Sequence, residues 1–202
     1  MSFMIINKEY DFIFVHVPKT AGNAIEVTLP KCNRRKNRIL YRQMVPQEKH
    51  LHLEDVGRNG MFKFGFTRNP WDRMVSLYHF RSQKDNQNNK FDQQRLRDYG
   101  FEKCLLTSIL GENLPPWDRP ELTMTNDAMT WLEGCDYIGR YESLQEDFDR
   151  ISEIIGLEQK MLPHTNSSRH IDYREYYTTE MVEYVAETHK QTIEKFGYTF
   201  DG

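Results

Sequence analysis

Apolar positions along the chain come in short clusters, and two spacings recur among them. Phe12-Ile13-Phe14-Val15-His16-Val17 is a β-branched and aromatic run that reads as a buried strand. Pro18 ends it, because proline lacks the amide a central strand needs. Lys19-Thr20-Ala21-Gly22-Asn23-Ala24 follows as a tight small-residue turn, then Ile25, Val27 and Leu29 on a short helical stretch closed by Pro30. The same order returns further on. Met61 to Thr67 alternates, with Phe62, Phe64 and Phe66 on one face and Lys63, Gly65 and Thr67 on the other. Asn69 suits the N-cap of the next helix, Pro70 its first position and Asp72 its third. Met74, Val75, Leu77 and Tyr78 continue that helix at three-to-four spacing.

A third strand, Cys135 to Gly139, precedes a helix from Glu142 to Ile155 with Leu144, Phe148, Ile151 and Ile155 on its buried side. The chain closes on one more helix, capped at Thr178 or Thr179, carrying Met181, Val185, Ile193 and Phe196 until Gly197 stops it. Polar stretches lie between, at Gln83 to Arg95, Glu112 to Glu121 and His164 to Tyr177. Strands separated by helices predict an α/β fold with a largely parallel central sheet flanked by helices.

Composition narrows the class. With 202 residues the chain is expected to be a single domain, 1–202, large enough to fold without staples. Lys and Arg number 27 against 30 Asp and Glu, a net charge of −3, so no general basic excess points to nucleic acid. The 3 cysteines, Cys32, Cys104 and Cys135, are widely spaced and form neither a disulfide framework nor a Cys-x-x-Cys metal site. No apolar run reaches the roughly 20 residues of a membrane span. The charged residues after Ile6 interrupt any signal-peptide core, so the expected location is cytoplasmic. Asn166-Ser167-Ser168 is formally a glycosylation sequon, read here as a polar loop.

Both strand–turn–helix units suit an anion. Around Thr20 to Asn23, backbone amides and a helix N-terminus would face a ligand above the strand end, with Lys19 and the Thr20 hydroxyl as further donors. Ala21 and Gly22 let the backbone come close. The Gly-x-x-x-x-Gly-Lys-Ser/Thr pattern of a Walker A loop is absent. In the second unit Arg68 ends the strand, with Arg73 and Ser76 beyond it, and an arginine there can pair bidentately with phosphate. Read alone, the first unit is equally a capped turn with a surface lysine. Read alone, the second favours an arginine paired with Asp72 or a neighbouring helix.

The segment Phe14-Val15-His16-Val17-Pro18-Lys19-Thr20-Ala21-Gly22-Asn23-Ala24-Ile25 resembles the 5′-phosphosulfate-binding segment of sulfotransferases that use PAPS (3′-phosphoadenosine 5′-phosphosulfate). Phe64 to Tyr78 resembles their 3′-phosphate-binding segment. Tyr137 to Leu144 and Leu162 to Asn166 are similar to later blocks of the carbohydrate branch, related to heparan and chondroitin sulfotransferases. The four blocks stand in family order between residues 12 and 200. The resemblance implies a P-loop-NTPase-like three-layer fold, PAPS as donor with PAP (3′-phosphoadenosine 5′-phosphate) as product, and no metal. It implies that Lys19 contacts the sulfate and the bridging oxygen, and that Thr20, Ala21, Gly22, Asn23 and Ala24 wrap the 5′-phosphate. Arg68 and Ser76, eight apart, would hold the 3′-phosphate. Family members usually carry Thr or Ser where Asn23 and Ala24 stand, although the Asn23 amide can still donate.

Sulfuryl transfer to a hydroxyl needs a base, and histidine titrates near the working pH. Of 7 histidines, His50 and His52 lie between the two phosphate segments, where the family places its catalytic histidine. His50 is favoured, with Glu54 one helical turn on. His52 also reads as a solvated or capping side chain, and His16 as a core or sheet-face histidine. Asn166, Ser168 and Arg169 are candidate contributors near the 3′-phosphate. The acceptor expected from the resemblance is a saccharide or glycolipid hydroxyl. Lys31 to Arg42 holds no acidic residue and would suit an anionic glycan or lipid head group, or is a solvated basic loop. The Gln83–Arg95 stretch reads as an acceptor loop. Two other readings stand beside this one: a nucleotide kinase-like phosphotransferase, and a non-catalytic nucleotide-binding protein on the same fold.

Overall fold

Alternating Phe12, Phe14, Phe64 and Phe66 set the centre of the molecule, because each is almost wholly buried and all four meet in one cluster. Burying a side chain of this size contributes about 2 kcal/mol. The computed structural model describes residues 3–30, 38–39, 60–83, 90–107, 110, 124–163 and 171–202. His50, His52, Asn166, Ser168, Arg169, the Glu112–Glu121 stretch and most of Lys31–Arg42 lie outside the described residues.

Among the described residues five strands make one sheet: β1 (Phe3–Asn7), β2 (Phe12–His16), β3 (Arg38–Ile39), β4 (Phe62–Thr67) and β5 (Tyr137–Arg140), in the order β3-β1-β2-β4-β5. The pairs β2–β4 and β4–β5 are parallel, with Phe14 opposite Phe64 and Gly65 opposite Ile138. The parallel expectation thus holds for β2, β4 and β5. Strands β1 and β3 are antiparallel additions, β1 paired with β2 through a tight turn at Lys8 to Asp11.

The chain forms two compact units. The first comprises Met1–Arg68 and Ala128–Thr165 and contains the whole sheet. One sheet face carries the phenylalanine cluster, packed under Ile25 and Leu29 of the α1 stretch (α1, Gly22–Thr28) and under Phe148 and Ile151 of α5 (Leu144–Ile154). The opposite face is closed at Gly65, where Leu132 of α4 (Met129–Leu132) comes so near that a Cβ on residue 65 would lie 2.3 Å from its Cδ2. Helices therefore cover both faces of the sheet, as parallel strands require.

The second unit comprises Asn69–Asp127 and Asn166–Gly202. Its helix α2 (Pro70–Ser82) starts as the sequence predicts, with the Asn69 side chain accepting from the amides of Trp71 and Asp72. Trp71, Met74, Val75 and Leu77 pack with Leu96, Phe101, Met181 and Val185.

Two sequence expectations are corrected in this unit. Lys90–Leu106 is helical (α3), so residues 90–95 are not loop, and Gln93 and Leu96 are buried. The closing helix is two, α6 (Thr179–Thr188) and α7 (Lys190–Phe196), parted at His189. His189 is buried against Arg73, 3.1 Å from its Nη2, and Asp127 accepts from the amide and hydroxyl of Thr192 one turn on. Among the described residues no helix is long and apolar enough to cross a membrane.

Candidate functional site

Strand β2 ends at His16, and its next residues fold into a turn that only a special backbone permits. Lys19 and Ala21 both adopt left-handed conformations, with φ of 70° and 61°. Each such residue outside glycine costs roughly 1–2 kcal/mol, so the turn must be held by its surroundings. Thr20 holds it from below: its side chain is buried and its Oγ1 donates to Val17 O at 2.9 Å. The hydroxyl proton expected to serve an anion is thereby used within the turn. Ala21 then caps α1, its carbonyl accepting from Ala24 N at 2.9 Å and from Ile25 N at 3.3 Å.

Gly22 is required by a contact the sequence does not announce. A Cβ there would fall 2.1 Å from Cδ2 and Nε2 of His16. The His16 ring thus occupies the space that a side chain at residue 22 would need. It is nearly buried and stacks on Phe14 with centroids 6.0 Å apart, in keeping with a core role. Asn23 is exposed and Ala24 buried.

From the neighbouring strand β4, Arg68 reaches into the same turn. Its Nη1 donates to Lys19 O at 3.2 Å, and its guanidinium lies 4.1 Å from the centroid of the Tyr141 ring. Arg68 is 7% exposed, too buried for its charge to be neutralised by bulk water alone. Burial and the adjacent Arg68 charge together push Lys19 down to about 8 from its ordinary 10.5. The Arg68 charge thus lies close enough to disfavour the Lys19 ammonium at this turn. Lys19, Thr20, Ala21, Gly22, Asn23, Ala24 and Arg68 are thus brought together in the first unit.

Ser76 lies on α2 in the second unit and is buried. Arg73, on the same helix, is wholly enclosed, donating to Asn126 O and facing His189. It serves the interior of that unit. Sequence reasoning quoted Tyr141 within a family block but gave it no part in the site. Its contact with Arg68 spans 73 positions, and the signal lay in an aromatic placed directly after β5, the strand beside Arg68's own.

Open α/β sheets bind their ligands beyond the carboxyl ends of the strands, and this strained turn with its two cations lies at such an end. The model of the sulfotransferase family matches residues 2–198, through both compact units, and the chain belongs to that family. It is a sulfotransferase-family protein, and transfer of a sulfuryl group to a hydroxyl-bearing acceptor is the activity the family defines. An uncharacterized protein of Archaeoglobus fulgidus is 26% identical over 116 residues, 57% of this chain and 85% of that protein. No solved structure matches the chain.

Proposed function

We propose that the chain transfers the sulfuryl group of PAPS to a hydroxyl of a carbohydrate or glycolipid, with residues 1–202 acting as one sulfotransferase domain of P-loop-NTPase-like, three-layer architecture. The observation that carries this reading is the pairing of Lys19 with Arg68 at the β2 turn, in a chain of the sulfotransferase family.

PAPS supplies the activated sulfuryl group. The acceptor oxygen forms its bond to sulfur in line with the bond to the bridging phosphate oxygen, which breaks and leaves its electron pair on PAP. The acceptor proton passes to the imidazole of His50, or of His52. Lys19 sets a fixed ammonium where negative charge grows on the bridging oxygen, a stabilisation typically worth 10²–10³ in rate. Because Thr20 spends its hydroxyl proton on Val17 O, the 5′-phosphate would be held chiefly by backbone amides of Thr20 to Ala24 and by Lys19. Arg68 would pair with the 3′-phosphate, with Ser76, Asn166, Ser168 and Arg169 as further candidate contributors.

Calorimetric titration with PAP, beside ATP and AMP, tests the donor site, and release of PAP from PAPS in the presence of glycans tests transfer. We expect PAP to bind in clear preference to ATP and AMP. Lys19→Ala and His50→Ala should each lower turnover at least a hundredfold. Equal binding of all three nucleotides, or near-normal turnover of Lys19→Ala, refutes the reading.

A further inference from the structure

The ring that lies against Arg68 comes from just beyond the next strand along. Tyr141 follows β5 directly, opening the short 3₁₀ turn Tyr141–Ser143, and its ring face lies 4.1 Å from the Arg68 guanidinium carbon. An arginine side chain is long and has many rotamers, so a bidentate contact to phosphate is strong only if the guanidinium plane is set beforehand. The Tyr141 ring face lies against the guanidinium, and Lys19 O accepts from its Nη1.

The chain on either side of Tyr141 is itself held in place. The buried carboxylate of Asp147 accepts from the backbone amide of Arg140 at 2.8 Å, from Ser143 Oγ at 2.7 Å and from the Tyr137 hydroxyl at 2.7 Å. Those three donors lie on both sides of Tyr141 in the chain. Burial works against the charge of Asp147, but these hydrogen bonds and the nearby Arg150 charge outweigh it and keep the group below its ordinary value, so the carboxylate stays ionised. Gly139 closes the arrangement, since a Cβ there would lie 2.5 Å from Phe66 Cε1 and 3.0 Å from the Asp147 Cβ.

We infer that Tyr141 is a positioning residue for nucleotide binding: its ring face presets the guanidinium of Arg68, and Arg68 passes that order to the Lys19 turn. The inference rests on the PAPS reading above, because it takes Arg68 as a ligand of the 3′-phosphate. It assigns the ring, and not the phenolic hydroxyl, as the working part of Tyr141.

The test is PAP affinity by calorimetry in the full chain. Tyr141→Leu should weaken PAP about tenfold, the size of a partly desolvated cation–π contact. Tyr141→Phe, which keeps the ring, should stay within twofold of the parent. In an Arg68→Ala background, Tyr141→Leu should cost less than twofold more, because the group it orients is gone. Incorporation of mono-, di- and trifluorophenylalanine at position 141 keeps the shape and drains the ring face of negative potential, so affinity should fall stepwise with fluorine count. That series also covers the case in which Tyr141→Leu folds poorly. An unchanged Tyr141→Leu, a loss equal in both backgrounds, or no trend with fluorination overturns the inference while the donor reading stands. A parent protein that does not bind PAP overturns the donor reading and the inference with it.

Discussion

Replacing Lys19 by methionine should make the protein more stable and useless at the same reaction. The lysine is held at about 8 by burial and by the charge of Arg68, against 10.5 in the unfolded chain. At pH 7 it is protonated in both states, and the folded state carries the full disadvantage. A gap of that size corresponds to about 3 kcal/mol. Lys19 retains some exposure, and solvent screening brings the expected gain from Lys19→Met to between about 1 and 3 kcal/mol. Methionine keeps the length of the stem and leaves the left-handed backbone as it is, so the comparison isolates charge. Between about pH 8 and 10.5 the unfolded chain binds the proton more tightly than the folded one. The parent protein therefore gains stability with rising pH across that window, and the difference between parent and variant closes. Urea unfolding at pH 7, 8.5 and 10 measures this directly, with a midpoint difference on the order of 1 M at pH 7. A difference that does not change with pH, or a variant less stable at pH 7, would refute the argument that Lys19 is an electrostatically strained cation.

Two further outcomes test the frame around the site. Gly22→Ala drives a methyl into the His16 ring and should cost about 1–3 kcal/mol in urea unfolding. In a His16→Ala background the same change should cost much less, and equal costs would show that the ring is not what requires the glycine. His189 is pushed down to about 3 by burial and then by the charge of Arg73, from an ordinary 6.5, so it is neutral at pH 7. Below about pH 6 the unfolded chain takes up a proton that the folded one refuses, and stability should fall by up to about 1.4 kcal/mol per pH unit. Urea unfolding between pH 4 and 7 should show that acid limb flattened in His189→Gln, whose amide oxygen can still accept from Arg73. Identical slopes would exclude His189 as its source.

The parts of this structure written in local pattern were legible and the parts made by distant contacts were not. The alternating phenylalanines marked β4, and Asn69-Pro70 marked the start of α2, because strand period and cap chemistry act over a few residues. The Lys90–Leu106 helix was hidden by its polar composition and by Gly100, which sits at a φ of 72° within it and breaks the periodic signal. The break at His189 was invisible for the opposite reason: apolar spacing runs on through it, and the burial of His189 beside Arg73, 116 positions away, decides the geometry. In the site, Lys19 and Arg68 could be named from their places at two strand ends. The contacts that tune them could not. Thr20 turns inward to Val17 O, His16 fills the space above Gly22, and Tyr141 lies over Arg68. Each of these depends on which strands become neighbours.

The left-handed backbone at Lys19 and Ala21 has a consequence for any laboratory lineage of this protein. Glycine at position 19 removes a steric cost together with the ammonium, so a variant that loses the working cation is also one that folds more readily. A library ranked only by soluble yield or heat resistance would drift toward substitutions at position 19 and discard activity early. Scoring each round for substrate turnover as well as yield is what would keep that turn in the population.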